Sequence, residues 1–175
     1  DGGLANCIVF LDKVSAGLSP PPVPDEPAVF RVQGLQIRPH AMVVRTGQAV
    51  QVANLDPVAV NVHDAPFMNP ATNRLLQPDE GYQHSYERAE RLPVQIKDDI
   101  HSWMTAYVFP LNQPWAAVTD EHGRFEIPEL PPGEYTFKVW HEKAGYIDRQ
   151  LAVTVTGEEL QELQLTVDSS KLDNP

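Results

Sequence analysis

The sequence predicts an all-β chain of short strands, and three observations carry that expectation. Seventeen prolines and ten glycines punctuate the 175 residues. The apolar segments between them are short and rich in β-branched and aromatic residues, which suit a pleated, half-buried surface. No apolar run comes near the roughly 20 residues that a membrane-spanning helix needs.

Taken in order, the expected strands occupy residues 7–11, 28–32, 42–45, 49–53, 94–96, 105–109, 116–119, 125–127, 135–139, 151–155 and 163–167. Each is a brief apolar run bounded by turn residues. Residues 19–27 separate the first two strands and contain Pro20, Pro21, Pro22, Pro24 and Pro27, which force extended backbone and read as a linker. Residues 61–91 carry few strand signals and are expected to hold loops and one short helix. A second boundary falls near Asn112-Gln113-Pro114. Beyond it, Thr119-Asp120-Glu121-His122-Gly123 reads as a turn between two strands, and Leu130-Pro131-Pro132-Gly133 as a second turn leading into residues 135–139. So many short strands fit one or two sandwiches.

Composition excludes several function classes. A formal charge of -11 and a pI near 4.8 repel phosphate backbones, and no Lys/Arg stripe reverses this locally, so nucleic acid is not an expected partner. A single cysteine, Cys7, forbids an internal disulfide and reads as a small core residue. The opening Asp1-Gly2-Gly3-Leu4 lacks the basic and apolar regions of a signal peptide, so any export signal has been removed, and a processed form of a longer chain is one reading of that start. No nucleophile elbow, P-loop or dinucleotide fingerprint occurs. The carboxylate pairs Asp98-Asp99 and Glu158-Glu159 are of a kind common on exposed surfaces. The chain is therefore expected not to be an enzyme.

Two resemblances organise these signals. The run from Ala117 through Thr119-Asp120, Gly123-Arg124-Phe125, Leu130-Pro131-Pro132-Gly133-Glu134-Tyr135 and Val153-Thr154-Val155 resembles the carboxypeptidase regulatory-like, transthyretin-like sandwich, with residues 6–11 as its preceding apolar strand. The stretch between resembles the plastocyanin-like cupredoxin domains of planctomycete-type envelope proteins. It does so through Arg38-Pro39-His40, Gly47-Gln48, Asn54-x-Asp56-Pro57, Asn61, Phe67, Pro93-Val94 and Ile100-His101-x-Trp103-Met104, with Trp140-His141-Glu142-Lys143-Ala144-Gly145 beyond it. Together they imply a cupredoxin-like Greek-key β-sandwich over residues 19–111. It is inserted into a smaller transthyretin-like β-sandwich formed by residues 1–18 and 112–175.

The cupredoxin resemblance also implies where copper would be held. A blue-copper site needs a thiolate and two imidazoles with a weak axial thioether. The family spacing Cys-x-x-His-x-x-Met puts the thiolate position at Asp98, an imidazole at His101 and the thioether at Met104, while the first imidazole falls at Val60, before Asn61. A further family cysteine falls at Leu35. Both cysteines and one histidine are thus replaced, and a degenerate site is expected. A rearranged set of His63, His101, Asp98 and Met104 would hold a harder ion, copper or zinc; against it stands the reading in which His101 and Met104 only pack their loop and no cofactor binds. His40 is expected to bridge loops and His141 to make a structural hydrogen bond, while His84 and His122 read as exposed loop residues.

The expected role is that of an exported structural or partner-binding protein, periplasmic, in the cell envelope or extracellular. Trp103, Tyr107 and Trp115 offer either a contact patch or core packing. Its partners would be proteins of an envelope or extracellular assembly. The alternative is a copper-binding, electron-transfer protein that meets a redox partner.

Overall fold

The computed structural model describes residues 2–15, 17–157 and 162–172; the Glu158 and Glu159 pair lies outside them. The chain divides into two compact units, Asp1–Ser19 with Trp115–Pro175, and Pro20–Pro114. Strand β1 (Ile8–Leu11) opens the first unit. The second unit then contributes β2 (Ala28–Val32), β3 (Ile37–Arg38), β4 (Ala41–Arg45), β5 (Ala49–Asn54), β6 (Val60–Asp64), β7 (Thr72–Leu76), β8 (Gly81–Ser85), β9 (Val94–Asp98) and β10 (Thr105–Leu111). The first unit resumes with β11 (Ala116–Val118), β12 (Gly133–His141) and β13 (Gly145–Val155). Among the described residues the only helical element is a 3-10 turn, Ser169–Lys171.

In the unit 20–114, one sheet runs β4-β10-β9-β6-β7 and the other β3-β2-β5-β8. Two pairs are parallel, β2 with β5 and β4 with β10. Parallel neighbours cannot be joined by a tight hairpin, so the chain must cross between the sheets, and the result is a cupredoxin-like Greek-key sandwich. Alternation places Val50 and Val52 of β5, Val60 and Val62 of β6, and Val94 and Ile96 of β9 in one core with Phe30, Met104 and Val108. β-branched side chains are stiff and pack well on the pleat, so this core positions its edge loops firmly.

Residues 61–91 differ from expectation. They hold most of β6 and all of β7 and β8, and no helix. The strand signal is weak because several inward positions are polar: Asp64 of β6 is 2% exposed, and His84 of β8 lies between two tyrosines. Asp64 accepts hydrogen bonds from the Thr72 amide (2.7 Å), the Thr72 hydroxyl (2.6 Å) and the Tyr86 hydroxyl. A satisfied buried carboxylate replaces an apolar residue there, so the period-two pattern is interrupted without loss of the strand.

The unit containing β1 forms a single sheet among the described residues, β11-β1-β12-β13. Cys7, Val9, Leu11, Trp115, Tyr135, Phe137 and Val139 make its core. Burial pushes the Cys7 thiol pKa up, partly offset by Thr119. The turn after β11 is built on Asp120, whose Oδ1 accepts from the amides of His122 (2.9 Å) and Arg124 (2.8 Å). Gly123 takes φ +75 in that turn, and a Cβ on Gly3 would lie 1.9 Å from the His122 carbonyl oxygen, so both positions need glycine. Residues 125–127 and 163–167, expected as strands, pair with no neighbour among the described residues and are irregular. Their apolar side chains still pack inward, but no ladder forms on them.

Candidate functional site

The connection between β9 and β10 carries the residues that the sequence singled out. Asp98 ends β9 opposite Val62 of β6, which turns its side chain inward at the sandwich edge. Its carboxylate is 1% exposed and fully engaged. Oδ1 accepts from the Asn61 amide (3.1 Å) and the Ile100 amide (2.7 Å), and Oδ2 lies 2.9 Å from His101 Nδ1. Burial pushes the Asp98 pKa up, but the bonds from His101, Ile100 and Asn61 outweigh it and hold the carboxyl below its usual range. The backbone closes the same loop: the Asp98 amide donates to Met104 O (3.1 Å) and the Met104 amide to His101 O (2.9 Å).

One carboxylate thus ties a strand of the sheet, a loop and an imidazole together. Met104 is 1% exposed and belongs to the apolar core. Val60, where the resemblance expects the first imidazole, is fully buried among apolar neighbours. His63 takes the other face of β6 and pairs with Asp99 Oδ2 at 3.0 Å, where Lys97 Nζ also reaches Asp99 Oδ1 at 3.0 Å. The structure therefore brings Asp98 and His101 into contact and gives His63 a different partner.

This donor set does not fit a blue-copper ion. His101 Nδ1 is committed to Asp98, no imidazole faces it from Val60, and a carboxylate stands where the resemblance expects the thiolate. Among the described residues no group of three or more His, Cys, Asp or Glu is placed to hold a metal ion. What the arrangement does chemically is cross-link the loop by a hydrogen bond between the Asp98 carboxylate and His101 at low exposure, where such bonds are stronger than in water.

Exposed apolar residues gather at the same end of the sandwich. Ile100 (54% exposed) and Trp103 (65%) project from the β9–β10 loop, and Leu55 and Val58 are exposed on the β5–β6 loop at the same end. Trp103 packs edge-on against His101 at 5.4 Å. The β5–β6 loop is held by Asn54, whose Nδ2 donates to Val58 O (2.8 Å) and Gln77 O (3.1 Å), and by Asp56, which accepts from the Gly34 and Leu35 amides (2.6 and 2.8 Å).

The remaining sequence candidates separate cleanly. Of the three aromatic residues, Trp103 is exposed and Tyr107 is half-buried against His40, while Trp115 is core in the other unit and donates to Glu129 O. His40 O accepts from the Tyr107 amide at 2.7 Å, a bridge between loop and strand. His141 is buried and accepts from the Lys143 amide. His122 lies in the exposed turn, as expected. His84 differs from expectation: it lies on β8, its ring nitrogens are buried, and neither has a hydrogen-bond partner. The signal that would have found it is the Tyr82-x-His84-x-Tyr86 alternation, three large rings on one face of a strand.

No family model matches the chain, and no curated protein matches it. Solved structures similar to it include the copper-containing nitrite reductase from Thermus scotoductus SA-01, at 15% identity and a TM-score of 0.45 over 56% of this chain. The match spans a quarter (25%) of the length of that enzyme. The Cu(I) form of an amicyanin variant matches at 15% identity and a TM-score of 0.44, over 59% of this chain and 98% of its own. A purple cupredoxin from Nitrosopumilus maritimus matches at 16% identity and a TM-score of 0.41, over 48% of this chain and 99% of its own.

Proposed function

We propose that the chain is an exported, non-enzymatic protein, a structural or partner-binding component of an envelope or extracellular assembly, whose cupredoxin-like domain carries a degenerate copper site. The observation that supports it best is the Asp98–His101 pair: the carboxylate at the thiolate position is saturated by hydrogen bonds, and the imidazole that a metal would need is already engaged. The loop is kept by internal bonding while its outer surface presents Ile100 and Trp103. Exposed apolar groups on an internally hydrogen-bonded loop are the usual substance of a contact site. The unit around β1 is read as the transthyretin-like module, supported by its Asp120–Gly123 turn, and modules of that kind serve as structural or adhesive units.

The second reading is a copper- or zinc-binding protein with a rearranged site, favoured by the retention of His101 and Met104 on one loop. Titration of the apo-protein with Cu(II) and Zn(II), followed by metal stoichiometry, separates the two. The structural reading expects no tight one-to-one binding. A one-to-one site that disappears in His101→Ala would overturn it.

A further inference from the structure

Among the described residues no second sheet covers the sheet β11-β1-β12-β13; Phe125, Ile127, Leu130 and Leu165 pack against its core instead. Val9, Phe137, Leu151, Val153 and Val155 line a groove of about 1100 Å³ on it, together with residues 123–130 and 162–164. The bordering segments alternate in burial as a strand would. Phe125 and Ile127 alternate with exposed Arg124, Glu126 and Pro128, and Leu165 and Val167 alternate with exposed Gln164 and Thr166. Period-two alternation of this kind marks a half-buried strand.

Both segments nevertheless lack a ladder. Among the described residues, the backbones of Phe125, Glu126 and Ile127, and of Leu163 through Val167, make no hydrogen bond to any neighbour. The first segment is anchored at both ends. The Arg124 amide donates to Asp120 Oδ1 (2.8 Å), Glu129 O accepts from Trp115 Nε1 (3.3 Å), and Pro131 O accepts from the Tyr135 hydroxyl (2.8 Å). The segment is thus held in place with its own donors and acceptors unpaired among the described residues, beside a groove lined by both apolar and polar side chains. Backbone groups in that position call for pairing, and a strand supplies it at about 4.8 Å spacing while filling the trough with alternate side chains.

The rim adds a charge preference. Glu126, Glu129 and Glu162 border the groove against one cation, Arg124. We propose that this groove accepts an extended segment of a separate polypeptide as an added β-strand, one with alternating apolar residues between basic ends. The proposal concerns a different site from the β9–β10 loop and does not depend on the metal question.

The test uses the whole chain and a synthetic probe peptide: five residues alternating valine and threonine, flanked by two lysines at each end. Fluorescence anisotropy should show saturable binding, and hydrogen exchange at the Phe125, Glu126 and Ile127 amides should slow at least about tenfold in the complex. Replacing the central valine of the peptide with proline, which has no N–H, should weaken binding about tenfold or more. The exposed groove residue Leu163, changed in Leu163→Lys, should weaken it similarly without touching the core. Absence of saturable binding overturns the proposal. So does equal binding by the proline peptide, or binding that leaves those amides unprotected. A peptide with glutamates in place of the lysines that binds as well overturns the basic-end requirement.

Discussion

Asp98 and His84 are both ionisable groups inside the same sandwich, and the protein handles them in opposite ways. Asp98 is buried as a charge with every need met: two amides and an imidazole surround it. His84 is half-buried between Tyr82 and Tyr86, at ring distances of 5.4 and 4.8 Å, with both ring nitrogens buried and unpartnered. Burial lowers its pKa, and the field of Asp64 only partly raises it again. The carboxylate is kept charged because it organises a loop. Burial disfavours the charged imidazole, and no hydrogen bond offsets it. A buried polar group therefore reports its role by its partners and not by its depth.

Asp98→Ala should disturb this contrast most. It strands the Asn61 and Ile100 amides and the His101 ring, and urea unfolding at pH 7 should show a loss of about 3 kcal/mol. Asp98→Asn, which keeps one acceptor oxygen, should recover part of it. Next in size, Tyr86→Phe removes the hydroxyl that Asp64 accepts and should cost about 1–2 kcal/mol by the same measurement. His84→Phe runs the other way. It deletes two unpaired nitrogens while keeping a ring between the tyrosines, so stability at pH 7 should stay level or rise by up to about 1 kcal/mol.

The two groups also separate by pH. The folded-state pKa of His84 is depressed below 6.5, so the unfolded chain binds its proton first as pH falls, and stability contributed by the neutral ring declines from about pH 6.5 downward. The Asp98 carboxyl is also depressed, so its contribution holds above its ordinary value of 3.8 and is lost only as pH falls from there through the folded pKa. Unfolding curves across pH 3–7 should therefore show a shallow early loss that His84→Phe abolishes, and a later one that Asp98→Asn abolishes. The smallest effect is expected for Trp103→Ala, within about 0.5 kcal/mol, because a side chain 65% exposed contributes little to folding.

Strand positions with plain apolar content are legible in the amino-acid order alone. Residues 28–32 read as extended and are β2, and the runs at 49–53, 94–96 and 105–109 fall inside β5, β9 and β10. The strands β6, β7 and β8 are not legible in that way, because inward Asp64 and His84 break the alternation that a one-dimensional reading uses. Segments 125–127 and 163–167 show the converse, alternation without a ladder. Pairing depends on a neighbour that the local pattern does not supply.

For the β9–β10 loop, residue identities are enough to read Asp98 and Val60 where the cupredoxin resemblance leads one to expect a thiolate and an imidazole. They are also enough for an all-β chain, since proline, glycine and β-branched residues constrain backbone locally. Folding adds what those identities leave open: the Asp98 carboxylate faces inward, His101 turns to it, and His63 joins Asp99 on the far side of β6. The reason is geometric. Which face a strand residue occupies follows from register, and register is set by contacts between residues as far apart in the chain as Asn61 and Asp99, 38 positions.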